Sequence, residues 1–306
     1  MLHKVLMLCI FILVSLFAVA FTQGEAPSIQ MEASQFGRRK APDIDMFMGS
    51  WEDSAPRQLL GSLTVWDILT KCDGDPLRPG KKGAVLTDIN SVSYAVLKAQ
   101  TSTTSSTLNN VQFIFYIISG DGIIKAGAKT ADLHEGIGVI MAPGIEFTMT
   151  NNGNEQLTMY IIEEPIPDGF VPNKLMVVKD EYDNIISTNI HRVDSTNWLF
   201  SMNDGLSTLT VINPIMYEPR SLVPPHMHPA GIEEVWIAIR DEIIIQVGLK
   251  RRRLPVGSAY KVPADGFTPH TNINKTDVSK KLMWMMKVPV SETPTRKTQP
   301  EIKNMI

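Results

Sequence analysis

The chain has 306 residues, with 43% hydrophobic residues, 20% charged residues and a formal net charge of -3. That balance excludes a disordered polyelectrolyte and supplies no field favouring nucleic acid. Only two cysteines are present, Cys9 and Cys72, which excludes a disulfide scaffold; a chain of this length buries enough apolar surface without one.

The N-terminus, "MLHKVLMLCIFILVSLFAVAFTQG", has a short basic start, an apolar run from Val5, and small residues at Ala18 and Ala20. This is the layout of a secretory signal peptide, expected over residues 1–22, with cleavage after Ala20. The protein is therefore expected to be exported, to the periplasm or beyond the cell, with Cys72 its lone thiol. Retention of the segment as an uncleaved anchor is the competing expectation. Residues 23–50, which contain "GRRK", read as a flexible leader. "SLTVWDILTKC", residues 62–72, suggests one short helix.

Beyond residue 50 the apolar runs are short, rich in Val, Ile, Phe and Tyr, and broken by Gly, Pro, Asn and Asp. "VSYAVLKA", "VQFIFYIISGDG", "LTMYIIEEP", "EEVWIAIRDEIIIQVG" and "KLMWMMKVP" are examples. Many short strands with turn signals between them predict a sandwich or closed barrel. The basic run "KRRRLP" at 250–255 is placed at a turn between strands.

The order of features repeats. From Val111 and again from Glu233, an apolar strand is followed by a turn, a short strand, a glycine and a strand ending in proline. A turn, an asparagine and a closing apolar strand complete both series. We read two β-domains in tandem, over 51–167 and 190–290. A Pro-, Asp- and Asn-rich linker at 168–189 joins them, and 291–306 form a tail.

The second half carries the chemistry. In "PPHMHPAGIEEVW", His226 and His228 alternate along an extended segment and face the same way, while Pro224 and Pro225 disfavour a helix. Glu233 follows a Pro-Ala-Gly turn that returns it toward the imidazoles. Glu234 is the alternative, reached by a one-residue slip that turns the side chain to the opposite face. "KVPADGFTPHTNIN" supplies a third imidazole, His270. His3 belongs to the signal, and His134 and His191 have no comparable partners.

"HMHPAGIEEVW" resembles the first motif of the cupin superfamily, and "GSAYKVPADGFTPHTNIN" resembles the second. The resemblance implies an all-β fold of two tandem cupin-type jelly-roll β-barrels, a bicupin. It implies His226, His228, Glu233 and His270 as metal ligands, the motif spacing favouring Glu233, with Gly257, Pro263 and Asn274 as structural members. The chain departs from the pattern at "RDE", 240–242, where a glycine is usual, and in extra residues between Pro263 and His270. In the first half, "AQTSTTSSTLNN" contains no histidine, Gln112 falls near the glutamate position, and Phe147 stands where the second motif places its histidine. The first domain is expected to have kept the fold and lost the metal.

Three imidazoles and a carboxylate suit one divalent ion, Mn or Fe foremost, with Zn, Ni or Co compatible. They leave positions for a small-molecule substrate or ligand. Pocket walls are expected from Val235 and Ile237, and substrate contacts from Tyr217, Arg220 and Asn272. The expected function is a metal-dependent enzyme acting on a small oxygenated substrate (a carboxylate, enediol or catechol), by oxidation, decarboxylation or isomerisation. The alternative is a non-catalytic protein that uses the metal to hold a small molecule or sugar. A homo-oligomer is compatible with either, and nucleic acid is not an expected partner.

Overall fold

The structure is a computed structural model and describes residues 42–184, 186–188 and 194–288. The stretch expected as a signal peptide, most of the expected leader including "GRRK", His191 and the expected tail lie outside the described residues. Among the described residues no helix is long and apolar enough to cross a membrane. The helical elements are single 3-10 turns, and the rest is strand and loop. Residues 62–72, expected as a helix, contain the strand Leu63–Lys71. There Leu63 and Val65 enter one apolar core while Ile68 and Leu69 join another. Burial on both faces of a sheet overrides the local helical spacing.

Each half is a jelly roll of two facing sheets. In the first, an eight-stranded sheet faces a five-stranded one, and Phe113, Phe115, Ile117, Phe147 and Met149 fill the space between them. In the second, an eight-stranded sheet faces a four-stranded one, around Ile215, Tyr217, Trp236, Ile243 and Ile245. A third core lies between the halves. Ile114, Tyr116, Ile140, Tyr160 and Ile162 from the first large sheet meet Val235, Ile237, Ala259, Met283 and Met285 from the second. Both faces of each large sheet are therefore buried, and Glu233–Ala238 is buried at every residue.

The halves also exchange edge strands. Met48–Ser50, within the stretch expected as a leader, pairs with Ser258–Lys261 of the second half. Val177–Asp180, within the stretch expected as a linker, pairs with Ile137–Met141 of the first. Each exchanged strand covers an edge that would otherwise present unpaired backbone groups. The exchange depends on paired glycines. Trp51 N donates to Gly257 O at 3.2 Å, and Glu181 N donates to Gly136 O at 3.1 Å. Gly257 has φ +79°, and a Cβ there would stand 2.2 Å from the Trp51 ring. Gly257→Ala is therefore expected to lower stability by about 1–3 kcal/mol through backbone strain and this clash, seen as a lower melting temperature. Trp51→Ala in the same chain should recover part of the loss by removing the clash.

The basic run lies on the strand Lys250–Leu254 rather than in the turn before it. Its charges are paired locally, Arg252 with Asp45 at 2.6 Å, Arg253 with Glu242 at 3.2 Å and Lys250 with Asp43 at 3.2 Å.

Candidate metal centre

His226 and His228 lie on the extended segment after Pro225, with Met227 between them facing outward and 47% exposed. His226 forms a reciprocal backbone pair with His270, N to O distances being 3.2 and 2.8 Å. His270 begins the strand His270–Asn274 of the smaller sheet. The three rings gather with centroids 4.4 to 5.3 Å apart, and their ring nitrogens include one from each residue within 4.8 Å of the others. His226 Nδ1 lies 3.1 Å from Pro224 O. A carbonyl only accepts, so Nδ1 carries the proton and Nε2 is left as a donor atom for a metal.

The carboxylate facing these rings is Glu234. Its Oε2 lies 2.9 Å from His228 Nε2 and 3.0 Å from His270 Nε2. Its Oε1 accepts from Trp236 Nε1 at 3.1 Å and Trp284 Nε1 at 2.8 Å. Two indoles thus hold one oxygen, and the other points at the histidines.

Glu233, favoured by motif spacing, is not brought to the histidines. Successive residues of a strand face opposite ways, and Glu233 shares its face with Val235 and Ile237, toward the first half. Its carboxylate accepts from Lys261 Nζ at 2.6 Å, from Thr87 N and Oγ1 at 2.6 and 2.5 Å, and from Asp88 N and Ile89 N at 3.2 and 3.3 Å. Val235 and Ile237, expected as pocket walls, lie in the core between the halves for the same reason. Glu164 of the first half does the reciprocal task. It accepts from the amides of Ser207, Thr208 and Leu209 at 2.9, 3.1 and 2.7 Å. Each half therefore uses a buried glutamate to cap a loop of the other.

The donor set fits a metal ion. His228 Nε2, Glu234 Oε2 and both His270 ring nitrogens are buried without a hydrogen-bond partner, although the two Nε2 atoms stand within 3.0 Å of Oε2. Such close approach without hydrogen-bond alignment is what ligands show when they aim at a common point. Donors at right angles, each about 2.1 Å from an ion, are separated by about 3 Å. Burial would raise the Glu234 carboxyl, but His270 and His228 hold it far below the usual carboxylate range. Burial would lower the His228 imidazole, but its contact with Glu234 raises it above the usual value.

A pH dependence follows. The proton that His228 holds in the metal-free site stabilises the fold below about pH 6.5, and this contribution is lost as pH rises through the raised value. A metal must displace that proton. Apparent affinity for Mn(II) is expected to fall as pH is lowered from 8 to 6, with proton release on binding, measurable by titration calorimetry in two buffers of different ionisation enthalpy.

The histidines and Glu234 line a cavity of about 200 Å³ in the second half. Tyr217 and Asn272 line it. Asn272 Nδ2 donates to Tyr217 Oη and Tyr260 Oη donates to Asn272 Oδ1, both at 3.0 Å. Burial pushes the Tyr217 and Tyr260 hydroxyls well up, so both remain neutral donors and acceptors. Arg220 is not at the site. It occupies a left-handed turn at φ +54° and pairs with Asp277 on the surface. Asp194, Thr196, Trp198, Trp236, Trp284 and Met286 also line the cavity and were not singled out in the sequence. The spacing of Glu234 and Trp236 by two was the available signal for the strand Glu233–Ala238. Asn274 ties its turn as the motif implies, donating to Glu218 O and Val278 O at 2.9 and 2.8 Å. The longer segment before His270 is a turn capped by Asp265, which accepts from Phe267 N and Thr268 N, each at 2.8 Å.

Strand register gives the equivalent positions in the first half. His226 bridges His270 as Ser106 pairs with Phe147. Glu234 pairs with Met286 and Glu233 with Lys287, while Glu163 pairs with Phe113 and Glu164 with Gln112. Gln112 thus corresponds to Glu233, and Phe113 to Glu234. Ser106, Leu108, Phe113 and Phe147 stand where the second half has His226, His228, Glu234 and His270. Leu108, Phe113 and Phe147 are packed in the apolar core, and none can ligate.

No family model and no curated protein matches the sequence. Solved structures do match in fold. An oxalate decarboxylase from Lactobacillus farciminis, solved as a formate complex, superposes with a TM-score of 0.60 at 11% identity, covering 80% of this chain and 86% of that one. A bacterial pirin from Escherichia coli in complex with nickel(II) gives 0.58 at 10%, covering 80% and 99%. A vicilin from Solanum melongena, whose structure revealed different anionic ligands in structurally similar pockets, gives 0.61 at 9%, covering 79% and 85%. At these identities the likeness is one of fold: the chain is an all-β protein of cupin-type jelly rolls.

Proposed function

We propose that this chain is an exported bicupin that binds one divalent metal ion in its second barrel and acts on a small oxygenated molecule there. The observation that carries the reading is the convergence of His226, His228, His270 and Glu234 on the wall of a cavity, with buried unpartnered atoms on His228, His270 and Glu234. The ligand set suits Mn(II) or Fe(II). Such an ion, when bound, polarises a coordinated oxygen and lowers the pKa of a bound water. The protein's part is to hold the donors, with Trp236 and Trp284 fixing Glu234 through one oxygen, and to enclose the substrate away from bulk water. The nickel in the pirin and the formate in the oxalate decarboxylase are compatible with metal-centred chemistry on a small oxygenated substrate, and the vicilins with a binding or storage role. The ligand set of the second barrel favours the first.

The test is elemental analysis of the purified protein, with reconstitution by Mn(II) or Fe(II), followed by oxygen uptake and product analysis with small carboxylates and catechols. Turnover that needs the metal supports an enzyme. A second reading, metal-assisted binding without turnover, is favoured by the closed Tyr217–Asn272–Tyr260 network, which leaves few groups to move a proton. Tight ligand retention without turnover would select it. Failure to bind metal after reconstitution would sink both.

A further inference from the structure

Resting on the metal-centre reading, we propose that Trp236 and Trp284 are positioning residues: they restrict Glu234 to a single bond with the ion and so keep its remaining coordination positions open. A carboxylate offers about four lone-pair sites, two on each oxygen. On Glu234 Oε1 both are used, by Trp236 Nε1 at 3.1 Å and Trp284 Nε1 at 2.8 Å. Oε2 stands 2.9 and 3.0 Å from the Nε2 atoms of His228 and His270 and has no hydrogen-bond partner. The donors around the carboxylate thus give its two oxygens different tasks.

Turning Oε1 onto the ion would leave two indole N–H groups unpaired. An indole nitrogen is a donor only, and a buried donor without an acceptor is costly. Trp236 is 5% exposed. It lies directly opposite Trp284 on the neighbouring strand Lys280–Lys287, with ring centroids 6.2 Å apart. Backbone pairing therefore fixes the spacing of the two donors, and the carboxylate oxygen between them inherits that position.

The duplicated barrel supplies an internal comparison. By strand register, Phe115 and Ile161 of the first half occupy the positions of Trp236 and Trp284, and they too face each other across adjacent strands. Both belong to the apolar core of that barrel. Where Leu108, Phe113 and Phe147 replace the metal donors, apolar side chains also replace the two indoles. Bulk is kept at these positions and the N–H groups are lost with the carboxylate they serve. A third tryptophan of the cavity, Trp198, donates instead to Ser187 Oγ at 2.6 Å, which makes it a control.

The experiment measures the relaxation of water protons by the Mn(II)-loaded protein, per bound ion, with metal content determined on every sample. Four protein donors on an octahedral ion leave about two coordinated waters in wild type. In the double variant Trp236→Phe, Trp284→Phe the freed Oε1 binds the ion and displaces one water, so the effect per ion should fall about twofold. The infrared separation of the Glu234 carboxylate bands, wide when one oxygen binds and narrow when both do, should shrink in the same sample. Trp284→Phe alone, at the half-buried member of the pair, should move both readings the same way, and it replaces the double variant if that chain does not fold. Trp198→Phe should match wild type. Weaker Mn(II) binding with both readings unchanged per bound ion is what a merely structural role would give; it would overturn the proposal and leave the metal centre standing. A wild-type protein that takes up no Mn(II) would overturn both.

Discussion

Glu233→Ala is expected to destabilise the protein by about 3–5 kcal/mol while leaving metal binding in place. Glu233 and Lys261 form an ion pair whose side chains are 0% and 1% exposed. Removing the carboxylate leaves the Lys261 ammonium buried with only Val85 O and Thr87 Oγ1 as partners. It also strips the acceptor from the amides of Thr87, Asp88 and Ile89. These groups lie where the halves meet, so loss of the pair loosens the interface between barrels. The measurement is chemical denaturation, with Mn(II) stoichiometry determined under native conditions. Metal loss at unchanged stability would return Glu233 to the ligand set and contradict the assignment.

Glu234→Ala is expected to do the reverse. Its loss removes the one carboxylate facing the three imidazoles, and affinity for Mn(II) should fall at least about 100-fold, beyond the usual cost of losing a supporting residue alone. Metal-free stability near pH 8 should change far less than for Glu233→Ala, because Trp236 and Trp284 lose a hydrogen-bond acceptor but His228, unlike Lys261, can release its proton when its carboxylate partner is removed. A thermal-shift series separates the cases. Saturating Mn(II) raises the melting temperature of wild type and of Glu233→Ala, which starts lower, but not that of Glu234→Ala.

The contrast between these neighbouring glutamates marks how far the sequence could be read. An all-β sandwich or barrel was legible from short apolar runs and turn residues, and the histidine pair from His-x-His parity, because both signals are local; the jelly roll itself came with the resemblance to cupin motifs. The choice between Glu233 and Glu234 was not, since "EEVWIA" is buried on both faces and hydrophobicity cannot say which face looks into the barrel. Gln112 and Phe113 pose the same ambiguity in the first half. Thr196 and Asp194 were invisible because strand pairing, set by contacts distant in sequence, brings them to the cavity. Arg220 was placed near the histidines by sequence distance, and its left-handed turn sends it to the surface. The exchanged strands Met48–Ser50 and Val177–Asp180 took the appearance of leader and linker, because their partners belong to the other half.

One filled barrel beside one metal-binding barrel is the central claim, and metal stoichiometry tests it most directly. Elemental analysis after reconstitution with Mn(II) and removal of excess ion should give about one ion per chain, lost in Glu234→Ala. Two ions per chain would require donors in the barrel occupied by Leu108, Phe113 and Phe147, and none would leave the convergent histidines without their proposed role; either result would contradict the account.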